Sequence, residues 1–264
     1  MSEPRVLRTQ EDGVLLLVLN RPARKNAFDE PQWDAFAGAL REAKADDGVA
    51  VAVVTGAGGA FSAGVDLAAF GGGAPARSDG FRSGYHNAMD ALLAYDKPLV
   101  AAATGAAVGF GATFLFHCDV IYVGAGLRMR LPFVRLGLVP EGGSSYLLPA
   151  MIGTRRAAEL FYTAEWIDAA RALECGIATR VFPDEELVPA ALAKAREIAQ
   201  HPVSALRETK RALRVAHEAG LRAALAAEDA GMERLAGSPE NVEAVRAFLE
   251  KRAPDFRALR RRDG

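Results

Sequence analysis

The sequence predicts an α/β protein in which strands and helices alternate first and helices alone follow. Three observations point to this class. Apolar, β-branched runs suited to buried strands recur through the first half of the chain. Segments with apolar residues at helical spacing separate these runs, as in βα units. After about residue 155 the pattern changes to a succession of amphipathic helices.

The predicted elements follow in chain order. Strands are expected over residues 14–20, 49–55, 99–103, 120–123 and 181–182. An early helix is expected over residues 31–46, where Pro31 suits the first helical position. Later helices are expected over residues 155–162, 187–200, 203–219, 221–235 and 239–252. Ser238 is expected to cap the last of these helices.

Composition and charge disfavour several classes of protein. The 264 residues carry 32 Lys and Arg against 33 Asp and Glu, so no basic excess favours nucleic-acid binding. The uncharged run over residues 99–116 is broken by Gly105, so we expect a buried strand, turn and helix there and not a membrane span. Two distant cysteines, four scattered histidines and a polar start predict a reduced, cytoplasmic chain without a metal centre.

Two glycine-rich segments, residues 56–67 and 105–111, each follow a predicted strand. Glycine lets the backbone approach a ligand closely, and N–H groups at a helix start favour an oxyanion or a phosphate. The first segment is neither a dinucleotide fingerprint nor a P-loop, and Ser62 departs by one residue from the GxSxG nucleophile elbow. Ordinary turns and close packing of helix against strand remain alternatives for both segments.

Glu141 is one of two acidic residues between residues 97 and 158. Pro140 restricts the backbone before it, glycines follow it, and Ser144 or Ser145 is expected to cap the next helix. Apolar surroundings raise the pKa of a carboxyl group, which suits a general base near neutral pH. The alternative is a solvated turn glutamate at a helix N-terminus. The sequence leaves both interpretations open.

Together these segments resemble the crotonase, or enoyl-CoA hydratase/isomerase, family. The resemblance covers the chain in order, at residues 20–27 (NRPARKNA), 61–67 (FSAGVDL), 97–98, 105–111, 118–119 and 248–252 (FLEKR). It implies a ClpP-like spiral of ββα units over residues 1–200 and a helical trimerisation region over residues 201–264. It also implies an acyl-CoA thioester substrate, no separate cofactor, and a homotrimer or a dimer of trimers, in a bacterial cytoplasm.

The resemblance also implies roles for individual residues. The backbone N–H groups of Val65 and Phe110 match the pair that holds the thioester oxygen. Apolar lining of the acyl pocket is expected from Phe114 and Phe133. Contacts to CoA are expected from Arg24, Lys25, Ala27, Ala63, Gly64, Asp66, Leu67 and Lys251.

The reaction depends on which carboxylates are present. Hydratases of this family use two glutamates, and the matching positions here are Thr113 and Phe133. The segment around Glu141 is instead similar to the peroxisomal type of 3-enoyl to 2-enoyl-CoA isomerase, in which one glutamate in this turn moves the proton. The resemblance therefore implies an enoyl-CoA isomerase with Glu141 as base and acid. The alternatives are hydratase-like or acyl-CoA hydrolase activity, or a CoA-binding protein without catalysis.

Overall fold

The structure is a computed structural model in which residues 3–66 and 79–260 are described, without the side chains of residues 79–83 and 260. Leu67, one of the predicted CoA contacts, lies outside these residues. The strands within the described part are β1 (Val6–Glu11), β2 (Val14–Leu19), β3 (Val51–Gly56), β4 (Leu99–Ala103), β5 (Ala106–Val108), β6 (Val120–Gly124), β7 (Arg128–Arg130), β8 (Trp166–Asp168) and β9 (Arg180–Phe182). The α-helices are α1 (Glu30–Ala45), α2 (Asp79–Ala94), α3 (Phe110–Thr113), α4 (Ser144–Ile152), α5 (Thr154–Thr163), α6 (Ala169–Cys175), α7 (Asp184–Ala199), α8 (Val203–Val215), α9 (Glu218–Leu235), α10 (Pro239–Leu249) and α11 (Phe256–Arg260).

The larger sheet has six strands in the order β1-β2-β3-β4-β6-β9. The β1–β2 pair is antiparallel, and every other pair in this sheet is parallel. All five residues of β4 are buried, and so are the first five of β3. Burial on both faces explains why the sequence of these strands is continuously apolar instead of alternating.

Helices cover both faces of this sheet. On one face, α7 packs Leu187, Ala191 and Ala195 against Val51 and Val53 of β3 and the neighbouring strands. These three helical residues are four apart, so they lie on one side of the helix. On the other face, α1 and α2 pack together with Trp33, Phe36 and Leu92 in the main core.

A smaller sheet has three strands in the order β5-β7-β8. It is joined to the first glycine-rich segment by a parallel bridge between Ser62 and Ala107. This bridge brings the segment that follows β3 beside the segment that follows β4. The fold therefore positions the two glycine-rich segments as neighbours.

The predicted strands at residues 14–20, 49–55, 99–103 and 120–123 correspond to β2, β3, β4 and β6. Beyond β4, the run up to residue 116 forms β5 before the short helix α3, so the expected strand, turn and helix contain one more strand. The Ser238 cap is confirmed, because its side chain accepts from the N–H of Asn241. No helix within residues 3–66 and 79–260 is long and apolar enough to cross a membrane.

Candidate active site

The two glycine-rich segments run side by side. Ser62 N–H donates to the Ala106 carbonyl at 2.8 Å, and Val108 N–H donates to the Ser62 carbonyl at 2.9 Å. Gly64 follows with φ +81°, and a Cβ there would lie 2.4 Å from the Val108 carbonyl oxygen. The same Cβ would lie 3.2 Å from the Phe110 backbone nitrogen. Glycine at this position therefore permits the close approach of the two segments.

Val65 and Phe110 present backbone N–H groups on either side of this contact. Phe28 N–H donates to the Gly64 carbonyl and Asp66 N–H donates to the Phe28 carbonyl, so the N–H of Val65 takes no part in that pairing. Phe110 is the first residue of α3, where an N–H group has no acceptor within the helix. The bonds among the described residues named here use neither N–H group, and a pair of such donors suits a thioester oxygen.

Two buried polar residues hold the first glycine-rich segment in place. The Asn26 Nδ2 group donates to the carbonyls of Ala57 at 2.9 Å and Ala60 at 2.7 Å. The Ser62 hydroxyl donates to the Asn26 carbonyl at 2.8 Å and accepts from the Gly64 N–H at 3.1 Å. Ser62 is fully buried and occupied by these bonds, so the structure gives it a structural role and not that of a nucleophile. Asn26 belongs to the NRPARKNA motif, but nothing local in the sequence indicates that its side chain supports this segment.

Glu141 lies in the turn before α4 and faces Thr113 of α3. Its Oε1 accepts from the Thr113 hydroxyl at 2.6 Å, while its Oε2 is buried and has no hydrogen-bond partner among the described residues. The same Thr113 oxygen lies 3.3 Å from the Phe110 carbonyl oxygen, so the carboxylate lies close to the helical turn that begins at Phe110. The interpretation as a solvated turn glutamate is therefore wrong.

Burial raises the pKa of Glu141 to about 7. Thr113 and Tyr85 act in the opposite direction, because their hydroxyl groups favour the charged form, and the nearby charge of Glu228 raises the pKa further. Tyr85 comes from α2 and Glu228 from α9, far away in the sequence. Neither residue carried a local signal that could have placed it beside Glu141.

The backbone of the turn that carries Glu141 is bound by the side chains of His117 and Glu228. His117 Nε2 lies 2.7 Å from the Gly142 carbonyl. Burial lowers the pKa of His117 to about 4, so the ring is neutral at pH 7 and its Nε2 must carry the proton that the carbonyl accepts. Glu228 accepts from the N–H of Gly143 at 2.6 Å and from the N–H of Ser145 at 2.8 Å.

The predicted serine cap of α4 is wrong. Gly143 occupies the cap position with φ +72° and no side-chain cap bond, and the Ser144 hydroxyl is buried without a hydrogen-bond partner in the described part of the chain. The carboxylate of Glu228 accepts from the N–H groups that a serine side chain was expected to satisfy. A distant charged side chain thus replaces the local cap, which no pattern within residues 138–145 could predict.

The remaining predicted residues are distributed around this centre. Arg24 and Lys25 are exposed, Arg24 as the last residue of a short 3₁₀ helix and Lys25 directly after it. The Lys25 carbonyl accepts from the Ala63 N–H at 2.8 Å. The buried Ala27 and Asp66 both bind Arg21, through a carbonyl at 3.0 Å and a carboxylate at 2.6 Å.

Three more predicted residues lie at the edges of the site or deeper in the core. Phe114 lies 5.4 Å from Phe36 and 5.7 Å from Phe61, measured between ring centroids, within an aromatic part of the core. Phe133 is buried, and Lys251 is exposed after α10. Of the predicted residues, Phe110 lies beside the first glycine-rich segment at Gly64 and, through Thr113, close to Glu141. Within the described residues, no three His, Cys, Asp or Glu side chains cluster as a metal site.

Comparison with known proteins gives consistent matches along the chain. The family model described as Enoyl-CoA hydratase/isomerase matches residues 9–259. The 2,3-dehydroadipyl-CoA hydratase of Escherichia coli (strain K12) is 35% identical, over 97% of this chain and 99% of that protein. The enoyl-CoA delta isomerase 2 of Homo sapiens is 30% identical, over 93% of this chain and 63% of that protein. The crystal structure of an enoyl-CoA hydratase/isomerase from Pseudoalteromonas atlantica T6c superposes with a TM-score of 0.87 at 33% identity, covering 96% of this chain and 99% of that one. The predicted α/β spiral fold is confirmed by this structural similarity.

Proposed function

Because the chain belongs to the enoyl-CoA hydratase/isomerase family, we propose that it is an isomerase that moves the double bond of a 3-enoyl-CoA to position 2. The observation that carries this proposal is the carboxylate of Glu141. One of its oxygens is held by Thr113, and the other is buried without a partner among the described residues. Coenzyme A enters as part of the substrate, and the proposed chemistry needs no separate cofactor.

In the proposed reaction, Oε2 of Glu141 removes a proton from carbon 2 of the substrate. The electron pair of the broken C–H bond forms a double bond to the thioester carbon, and the carbonyl pair moves onto oxygen to give a dienolate. Glu141 then returns the proton to carbon 4, and the conjugated 2-enoyl-CoA remains. A pKa of about 7 suits both steps, since the group is then both a usable base and a usable acid near neutral pH.

The N–H groups of Val65 and Phe110 are proposed to bind the thioester oxygen as negative charge develops on it. This assignment is supported by the close approach of Gly64 to Phe110 and by the backbone bonds described above, which use neither N–H group. Fixed backbone donors of this kind contribute about 3–4 kcal/mol each to lowering a barrier. Phe114 and Phe133 are proposed to line the acyl pocket and exclude water.

The number of available carboxylates supports isomerisation over hydration. Glu228 also lies near Glu141, but both of its oxygens accept from backbone N–H groups. The two positions that match hydratase glutamates hold Thr113 and Phe133, and neither side chain is a proton acceptor of use in water activation. Moving a proton between two carbons of one substrate needs one carboxylate and no water.

We propose that CoA binds beside the first glycine-rich segment and that its phosphates meet the exposed Arg24 and Lys25. The assembly is proposed to be a homotrimer or a dimer of trimers, with residues 201–264 as the contact region and Lys251 close to a neighbouring subunit's ligand. A cytoplasmic location is part of the same proposal. The other proposed CoA contacts are Ala27, Ala63, Gly64, Asp66 and Leu67.

The test supplies a 3-enoyl-CoA and follows the ultraviolet absorbance of the conjugated product. Glu141→Gln is expected to lower kcat about 10²–10⁴-fold, because the amide cannot take the proton. The exposed Glu165 provides the matched control, and Glu165→Gln is expected to leave kcat unchanged. Wild-type turnover by Glu141→Gln would remove Glu141 from the reaction.

Hydration of a 2-enoyl-CoA is the second candidate, favoured by the 35% identity to the protein named as a hydratase. It predicts loss of the conjugated absorbance and a product heavier by one water. Mass spectrometry of the products from both thioesters therefore separates the two reactions. A purely CoA-binding protein would bind CoA in calorimetry and convert neither thioester.

A further inference from the structure

We propose that Glu228 on α9 is a positioning residue for Glu141, because it holds the backbone of the turn that carries the Glu141 carboxylate. This inference rests on the proposed function for its kinetic consequence, and it has a second consequence that is measured without substrate. It assigns the helical region after residue 200 a direct part in arranging the site.

The helix α9 packs tightly behind the turn. Leu221, Glu228 and Gly231 are spaced by seven and three residues, so they lie along one face of α9. A Cβ at Gly143 would lie 2.2 Å from Leu221 Cδ1, and a Cβ at Gly231 would lie 3.0 Å from the Val139 side chain. These close approaches leave the turn little freedom to move away from α9.

Glu228 supplies the polar part of this contact. It is 5% exposed, and its two oxygens accept from the N–H groups of Gly143 and Ser145 at 2.6 and 2.8 Å. N–H groups at a helix start lack acceptors within the helix, and a carboxylate satisfies two of them at once. A glutamine cannot do the same, since its NH₂ group would face one of these donors. The charge and the shape of Glu228 are therefore both required.

Glu228 also acts on Glu141 through its charge. Its carboxylate raises the pKa of Glu141, in addition to the larger effect of burial. The titratable groups around these two carboxylates are Asp229 on the same helix, Tyr85 and His86 on α2, and the neutral His117 behind Gly142. Removing the Glu228 charge should lower the pKa of Glu141, because that charge is one of the causes that raise it. Asp229 is half-exposed and lies 3.7 Å from His86.

The kinetic test compares Glu228→Gln, Glu228→Asp and the control Asp229→Asn on a 3-enoyl-CoA. Glu228→Gln is expected to lower kcat about 10–100-fold with little change in KM, because the base is displaced while CoA contacts stay. The acidic limb of kcat/KM should move to lower pH. Glu228→Asp retains the carboxylate on a shorter side chain and should lie between Glu228→Gln and the wild type. Asp229→Asn leaves both backbone bonds of Glu228 in place and should leave kcat unchanged.

The substrate-free test follows the titration of Glu141 through stability. The pKa of Glu141 is about 7 in the folded chain against 4.5 for an ordinary glutamate. Its ionisation therefore destabilises the fold progressively from pH 4.5 to about pH 7. The glutamine in Glu141→Gln cannot ionise. The Tm of this variant minus the Tm of the protein with Glu141 should therefore rise from pH 4.5 to about pH 7 and stay constant above it. In the Glu228→Gln background the levelling should occur at lower pH.

The two tests distinguish a failure of the proposed function from a failure of the role assigned to Glu228. A wild type without isomerase activity contradicts the proposed function and leaves the Tm comparison to decide on Glu228. A kcat within twofold of wild type in Glu228→Gln, or an unmoved Tm window, overturns the role of Glu228. An equal loss of kcat and of CoA binding with an unmoved pH limb indicates a merely structural role and also overturns it. Should Glu228→Gln fail to fold, Glu228→Asp decides, and wild-type kcat in that variant overturns the proposal.

Discussion

At the scale of single residues, the protonation of Glu141 sets the pH range in which the site can act. Burial is the largest cause of its raised pKa, of about 7, and Thr113 limits the rise through its hydrogen bond. For a base that must be ionised in the free enzyme, kcat/KM falls about tenfold per pH unit below the pKa. We therefore expect kcat/KM for a 3-enoyl-CoA to be level above pH 7 and to fall below it. A profile that stays level down to pH 5 would contradict the assigned base.

Thr113 tunes this titration. Its hydroxyl donates to the charged form of Glu141 at 2.6 Å, so Thr113→Val should raise the pKa of Glu141 further. The acidic limb then moves to higher pH, and kcat/KM at pH 6.5 drops about three- to tenfold. Thr113→Ser keeps a hydroxyl and is the matched control, with its limb close to that of the wild type. The comparison of the three pH profiles is the measurement, and identical limbs for Val and Ser would refute the effect.

At the scale of elements, the contact between the two glycine-rich segments depends on Gly64. In Gly64→Ala the new Cβ meets the Val108 carbonyl at 2.4 Å, and backbone atoms cannot yield as a flexible side chain can. The segments that carry Val65 and Phe110 must then separate. We expect kcat/KM to fall at least about tenfold, since two backbone donors lose their common target.

Gly59 provides the control for this substitution. It also has a positive φ, of +73°, but a Cβ there meets nothing within 4 Å. Gly59→Ala should therefore lose about 1 kcal/mol of stability from its backbone conformation and keep its turnover. Steady-state kinetics and thermal unfolding of both variants separate strain from the clash. Equal activity of the two variants would show that the close approach at Gly64 is not needed.

Most of the strands that the sequence predicted are largely buried, and β9 at the edge of the sheet is the exception. β3 and β4 consist of continuous apolar residues that leave little ambiguity. β1 was missed because Val6 is its only buried residue, although Asp12 and Gly13 form the two-residue turn of its hairpin. Asp-Gly is a strong hairpin signal between strands, and it was available in the sequence. β8 is three residues long, with Ile167 buried, and owes its existence to pairing with β7.

In the site, as in the sheet, features set by neighbouring residues could be predicted from the sequence, and features set by distant residues could not. The apolar neighbours of Glu141 in the sequence made a buried carboxylate one of two open interpretations, and the structure decides between them. The groups that set its pKa and hold its turn come from α2, α3 and α9, and sequence spacing does not indicate which of them meet. The start of α4 is an example. The sequence predicted that a nearby serine caps it, whereas in the structure Glu228 accepts from its N–H groups. The roles of Val65 and Phe110 remain predictions.

At the scale of the whole molecule, α8 ties the helices after residue 200 to the strand-rich part of the chain. Lys210 is buried, and its Nζ donates at 2.7 Å both to the Asp119 carboxylate and to the Lys97 carbonyl. Asp119 in turn accepts from the Leu99 N–H at the start of β4. Arg214, one turn further along α8, donates to the Tyr95 carbonyl at 2.9 Å. These buried bonds fasten α8 to the connection between α2 and β4.

Because of these bonds, we expect the C-terminal helices and the sheet to unfold together. Lys210→Met removes the ammonium, leaves Asp119 without its buried partner, and should lower the free energy of unfolding by about 2–4 kcal/mol. Both tryptophans lie before residue 200, whereas far-ultraviolet circular dichroism reports on all helices. The two signals should show one coincident transition in the wild type and in the variant. Arg211→Met is the matched control, because Arg211 is exposed and pairs with Glu208 on the surface. Its loss should cost less than about 0.5 kcal/mol. Separate transitions, or equal stability of the two variants, would mean that α8 is fastened by its apolar contacts and not by the buried ammonium.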